Sequence, residues 1–274
     1  MPISVQLLLA HLPAWLLVLF RLTGIFFFAP VFGSRSVFGR VKIFLALGLS
    51  FCIYPILLTP GSDSARLIEP VIASGLELWS LIGTVAAELS IGIVIGFGAS
   101  LPLIGVQIGG RVVDQQMGLG LAGVLNPEFN EQGGIVGQFY FMMGLAVFVI
   151  LGGHRVMLAT LVGSFNRIPL GGLFFDGGMM DLVVGLLATV FDLALRVSAP
   201  LLCLVLLQTV AMGFIARTVP QMNILSIGFA LRIVVGSIIL IGAIRLENSV
   251  FVEALQGVLE HINVYFTESG VGSS

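Results

Sequence analysis

Charge is scarce in this sequence. Of 274 residues, 12 are basic and 14 acidic, 9% in all, against roughly a quarter in an ordinary soluble domain. So few charges cannot coat a globule of this length, and 58% of the residues are hydrophobic. The surroundings this chain is built for are lipid or other apolar protein. The near balance of signs excludes a polybasic face for nucleic acid. Cysteine is almost absent. Cys52 and Cys203 both lie inside apolar runs, where they read as small core hydrophobes and not as a disulfide framework. His11, His154 and His261 stand in unrelated segments with no second ligand at metal spacing. There is no Gly-x-Ser-x-Gly elbow and no acidic pair usefully spaced within one apolar run. These absences predict no enzyme activity, no metal and no cofactor. The first basic residue is Arg21, so no charged region precedes the first apolar stretch. That predicts a first run retained in the mature protein, without a cleavable signal.

What the sequence has is long apolar runs. A helix needs about 20 apolar residues to cross the hydrocarbon core. Runs of that order are Met1 to Ser34, Ile43 to Ser62, Pro70 to Gly110, Gln132 to Gly153, Leu182 to Ala216 and Thr218 to Ile244. A shorter piece, Val156 to Phe165, follows the fourth. The runs are continuous blocks without the alternation of a lipid-facing strand, so the expectation is an all-α integral membrane protein of about six long helical segments. Some of these are hairpins and some broken. The connections are too short for a soluble domain. They predict one membrane domain over 1–246 and a C-terminal amphipathic helix and tail over 247–274. The amphipathic stripe is Val250, Phe251, Ala254, Leu255, Val258, Leu259 and Ile262 at three/four spacing. The basic cluster Arg35, Arg40 and Lys42 would lie on the cytoplasmic side by the positive-inside rule.

Glycine is the second anomaly, with 35 in the chain. Gly92-x-x-x-Gly96 and Gly105-x-x-x-Gly109 fall in the third run, where small residues let helix backbones approach closely. Gly118-Leu-Gly120-Leu-Ala-Gly123 matches a dinucleotide-loop pattern, but it follows Asp114-Gln-Gln and not a strand, and Asn126-Pro127 closes it before a helix can run. The stretch from Gln115 to Gly134 is mostly apolar, yet too glycine-rich for a stable helix. Two readings fit it: a loop lying on the bilayer surface, or a re-entrant, pore-lining loop, since irregular backbone at membrane depth must be buried in protein or line a cavity. Charges inside the runs are costly and need partners or polar space. Asp192 and Arg196 are spaced for an intrahelical pair. Arg21, Glu88 and Arg232 have no obvious partner in sequence, which makes all five charges candidates for contact with a neighbouring subunit or a water-filled lumen.

Four stretches together resemble the FliR family of bacterial type III export-gate proteins. They are Pro30 with Arg35 and Arg40-Val-Lys42; Gln116-Met-Gly-Leu119 with Asn126-Pro127; Phe165-x-x-Ile-Pro169-Leu-Gly171; and Ala216-Arg-Thr-Val-Pro220-Gln-Met-Asn223 with Ile227-Gly-Phe229. The resemblance implies one copy of this chain in a helical hetero-oligomer with several FliP and FliQ subunits. It also implies FlhA- and FlhB-type export proteins nearby, in the flagellar basal body of the bacterial inner membrane. Such a complex is the gate for unfolded export substrates. The fold is likened to a FliP-like part followed by a FliQ-like part, with a boundary near residue 180, packed partly above the bilayer plane. The family's central loop plugs the channel. By match, the plug falls on Met117, Gly118, Leu119, Gly120, Leu121, Ala122, Gly123, Val124 and Leu125. Leu121 stands where the family can carry a bulkier aromatic, and Asn126 where an acid often precedes the proline. The equivalent subunit of a virulence secretion system is the alternative. A stand-alone small-solute transporter is a further one, against which the scattered polar groups count.

Overall fold

The computed structural model describes residues 2–33, 38–58, 78–119, 134–168, 170–171, 177–218 and 224–267. Every regular element among them is an α-helix: α1 (Pro2–Phe28), α2 (Gly39–Leu57), α3 (Leu78–Met117), α4 (Ile135–Ile150), α5 (Gly153–Arg167), α6 (Gly177–Thr218) and α7 (Ile224–Thr267). A backbone in an apolar medium has only itself to hydrogen-bond with, and a helix satisfies that within one segment. The chain is an all-α integral membrane protein.

Each of the six apolar runs falls on a helix among the described residues. Among the described residues, four helices are long and apolar enough to cross a membrane, or five if α4 and α5 are taken as one bent span. That pair bends by 63° at Gly152, which adopts the left-handed conformation (φ 72°). The sixth run contributes only a shorter apolar stretch, Ile227–Gly242. It belongs to the same helix, α7, as the C-terminal amphipathic segment. No glycine or proline stands between Ala243 and Ser249; charged residues there lower hydropathy, but only a breaker would stop the helix.

The chain packs as two compact units. The first comprises Met1–Ser100, Val149–Leu186 and Gly257–Ser274; the second comprises Leu101–Phe148 and Leu187–Gln256. In the first, Leu17, Leu22 and Ile25 of α1 are buried, as are Ile91 and Ile95 of α3, Leu161 and Phe165 of α5, and Ile262 and Phe266 of α7. In the second, the buried residues include Leu103 and Val113 of α3, Tyr140 and Phe148 of α4, Leu193 and Val197 of α6, and Phe251 and Leu255 of α7. Of the three/four stripe of the C-terminal segment, Phe251, Leu255, Val258, Leu259 and Ile262 are buried inside the chain, and Val250 and Ala254 are half-buried.

Cys52 and Cys203 are both exposed, which corrects their reading as core residues. An apolar run says that a helix avoids water, and either lipid or a protein neighbour meets that demand. The outward faces of α2 and α6 carry Phe44, Phe51, Leu206, Leu207 and Phe214 in the same way.

Candidate functional site

The roots of the candidate plug loop lie at the end of α3 and the start of α4, in the second unit. Helix α3 stops in a Schellman arrangement. Gly118 is left-handed (φ 78°), its N–H donates to the Gln115 carbonyl at 3.2 Å, and the Leu119 N–H donates to the Asp114 carbonyl at 3.0 Å. Glycine suits that position because it has no Cβ to clash. A side chain there would also strike the Phe229 ring of α7. The preceding Met117 is buried, and it fits against Gly236 of α7, where a Cβ would come within 2.9 Å of it. Met117, Gly118 and Leu119 are therefore placed as the closing turn of a helix. Gly120 to Leu125 lie outside the described residues.

Helix α4 begins without a capping side chain of its own, because Gly134 precedes Ile135. The second and third N–H groups of a helix normally go to a Ser, Thr, Asp or Asn at that place. Here Asp114 supplies both acceptors from another helix: Oδ1 to the Val136 N–H at 3.1 Å and Oδ2 to the Gly137 N–H at 3.0 Å. The approach depends on glycine. A Cβ at Gly134 would run into the Asp114 carboxylate, and one at Gly110 would lie 2.7 Å from the Gly137 Cα. Asp114 is only 3% exposed. In the sequence Asp114 bears only on the exclusion of a dinucleotide site; Gly133-Gly134, with no side chain to cap α4, is the signal that a distant acceptor is required.

In the first unit, α1 and α3 cross at glycines. A Cβ at Gly92 would fall on the Arg21 carbonyl oxygen, and one at Gly96 would lie 2.6 Å from the Ile25 carbonyl oxygen; Gly24 faces Gly92 from the other side. One turn away from this contact, Arg21 and Glu88 meet, both 0% exposed. Arg21 Nε donates to Glu88 Oε2 at 2.5 Å, and Nη2 donates to Oε1 at 3.1 Å. The remaining groups are used as well. Nη1 donates to Ser164 Oγ at 3.0 Å, and Nη2 to the Ile168 carbonyl at 3.2 Å. The Gly171 N–H donates to Glu88 Oε1 at 2.9 Å, and the Phe165 ring lies 4.2 Å from the guanidinium carbon. These two charges are satisfied within the chain, and neither side chain is exposed. A pair so fully hydrogen-bonded offsets the cost of removing it from water.

The other intramembrane charges lie on surfaces. Asp192 and Arg196 form the intrahelical pair that their spacing allows, at 2.7 Å, with both side chains more than half exposed. Arg232 Nη2 donates to Thr209 Oγ1 at 3.2 Å, linking α7 to α6. Gly105 and Gly109 face α6, where added Cβ atoms would lie 3.1 Å from the Val190 carbonyl oxygen and 2.9 Å from that of Ala194.

The sequence model of a family described as Bacterial export proteins, family 1, matches residues 12–258. The chain belongs to that family. It is 30% identical to the flagellar biosynthetic protein FliR of Escherichia coli (strain K12), over 80% of this chain and 79% of that one. Identity to the protein of the same name from Bacillus subtilis (strain 168) is 29%, over 84% and 85% of the two chains. For that of Aquifex aeolicus (strain VF5) it is 25%, over 82% and 83%. Both the Asp114 site and the Arg21–Glu88 cluster lie inside the residues that the export-protein family covers. One stretch that carried the resemblance, Phe165 to Gly171, is the wall of that cluster: its ring, a carbonyl and a backbone N–H all face the two charges.

Proposed function

We propose that this chain is a structural and gating subunit of the flagellar type III protein export channel, passing unfolded flagellar substrates across the bacterial inner membrane. The match to bacterial export proteins over residues 12–258 carries this reading, together with relatives named as flagellar biosynthetic proteins. Those names also favour the flagellar over the virulence setting. The chain is a multi-pass membrane protein, and it acts by assembling and sealing, without catalysis, metal or cofactor.

Its partners are FliP- and FliQ-type subunits around one copy of this chain, with FlhA- and FlhB-type proteins beside them in the basal body. The uncovered apolar side of α6 supports such neighbours. So does the exposed Asp192–Arg196 pair, because charges facing lipid are costly. The chain divides into a FliP-like part and a FliQ-like part near residue 180, close to the start of α6. Residues 117–125 plug the lumen: glycine-rich backbone yields to a chain in transit, and apolar side chains close the path by excluding water.

Two measurements test this. Proteins co-purifying with a tagged chain from its native membrane should be export-apparatus subunits; uptake of small solutes by the chain alone in liposomes would favour the transporter reading. Deleting residues 120–125, which leaves the α3 cap intact, should make assembled complexes leak small ions. Unchanged conductance in assembled complexes would remove the plug.

A further inference from the structure

We propose that residues 257–267 of α7 form a strap that closes the first unit, and that a chain with its strap unseated is not taken into the export complex. The second half rests on the assembly role proposed above; the first stands on contacts within the unit. Helix α7 runs unbroken over Ile224–Thr267, but only from Gly257 onward does it belong to the first unit. There it packs on two helices that precede it in the chain.

Against α3 the contact is apolar. Ile262 is buried, and a Cβ at Gly98 would lie 2.6 Å from its Cδ1. Against α5 the contact is polar and directional. Asn263 Oδ1 accepts from Thr160 Oγ1 at 3.1 Å and from Thr267 Oγ1 at 3.0 Å. A Cβ at Gly163 would lie 2.7 Å from Thr267 Oγ1, and the Arg167 guanidinium carbon is 4.3 Å from the centre of the Tyr265 ring. A glycine on each helix therefore shapes the seat. Asn263 fixes the register, because a slip of one turn would keep apolar contact but break directional bonds. The outward side of the strap carries Glu260 and His261, both exposed, as on a helix face turned to water. The family match ends at residue 258, so Ile262, Asn263, Tyr265 and Thr267 lie beyond the residues that place the chain in its family. Both walls of the seat are synthesised before the strap. Until α7 forms, the Thr160 hydroxyl has no Asn263 to bond and Gly98 and Gly163 stand uncovered. The first unit thus closes with the end of a helix built mainly in the second, and a seated strap signals that both units are made.

The test uses the chain in native membranes, with Cys52→Ser and Cys203→Ser and one new cysteine read by a water-soluble maleimide. Thr160→Cys, at a position 1% exposed, reports the seat. Leu193→Cys, equally buried but in the second unit, reports general unfolding. A stop after Gln256 removes the strap, and a stop after Thr267 keeps it. Gly163→Leu in the full chain blocks the seat, and is the variant read if the shorter chain is not recovered. The proposal expects the first stop and Gly163→Leu to lose protection at position 160 but not at 193, and to lose co-purifying subunits. The second stop should match the full chain. Protection at position 160 without a strap overturns the closure. Loss at both positions makes the segment a general stabiliser and overturns it too. Loss at position 160 alone, with subunit recovery unchanged, overturns the assembly half. A full chain that recovers no export subunits overturns the proposed function and the assembly half with it, while the labelling still decides the closure.

Discussion

Helices α3 and α6 have equal mean hydropathy and nearly equal length, yet their surroundings are opposite. Over an apolar 18-residue stretch of each helix, 67% of α3 is buried within the chain, against 22% of α6. Hydropathy says only that each avoids water. The small residues separate them. On α3, Gly92, Gly96, Gly105, Gly109 and Gly110 all sit against backbone or side chains of other helices, while Gly185 and Gly213 of α6 face open space. Where helices share an apolar medium, packing and polar contacts hold them together, because lipid tails are as apolar as leucine. Helix α3 is therefore packed by other helices of the chain within each unit. Helix α6 keeps an apolar surface for something outside the chain.

Breaking the α3 side should cost most at its buried charges. Arg21→Leu or Glu88→Leu alone leaves an unpaired charge or acceptor set in the core, and a loss of about 3–5 kcal/mol is expected, read as a collapse in the amount of folded chain. The double variant Arg21→Met/Glu88→Met should recover much of it. A single variant as stable as wild type would deny the cluster any structural weight.

Next in size is Gly92→Ala, whose new methyl group falls on the Arg21 carbonyl. Overpacking of that kind costs about 1–3 kcal/mol, visible as a lowered unfolding temperature of the purified protein. The matched change on α6, Gly213→Ala, should be neutral or stabilising by about 0.5–1 kcal/mol, since alanine is the better helix former. Equal losses at the two glycines would erase the contrast between the helices.

The smallest effect on the chain itself belongs to Arg196→Ala. An exposed i,i+4 pair contributes about 0–1 kcal/mol, so unfolding should barely change. Recovery of co-purifying subunits should fall if that face is covered. Unchanged recovery would place the pair in polar space.

These contrasts mark what the residues alone could reveal. The Asp192–Arg196 pair was legible because its partners are one turn apart. Arg21 and Glu88 looked unpartnered because 67 residues separate them. The clue lay beside them, in Gly24 and Gly92, a turn away from each charge. All-helical membrane character followed from unbroken apolar runs. The helix boundaries did not, because hydropathy divides a helix wherever charge appears: α7 runs straight through such a stretch, while glycine bends the α4–α5 pair. Cys52 and Cys203 were placed in the core on the same mistaken equation of apolar with buried. Asp114 went unnoticed as a cap because capping rules look to neighbours in sequence, and its acceptors serve another helix.

If other subunits partner this chain as proposed, they, and not lipid, cover the apolar outer face of α6. A photo-reactive residue in place of Leu207 or Phe214, both exposed, irradiated in native membranes, tests it directly. Cross-links from both positions to other subunits of the export apparatus are expected. Adducts to lipid alone would contradict it.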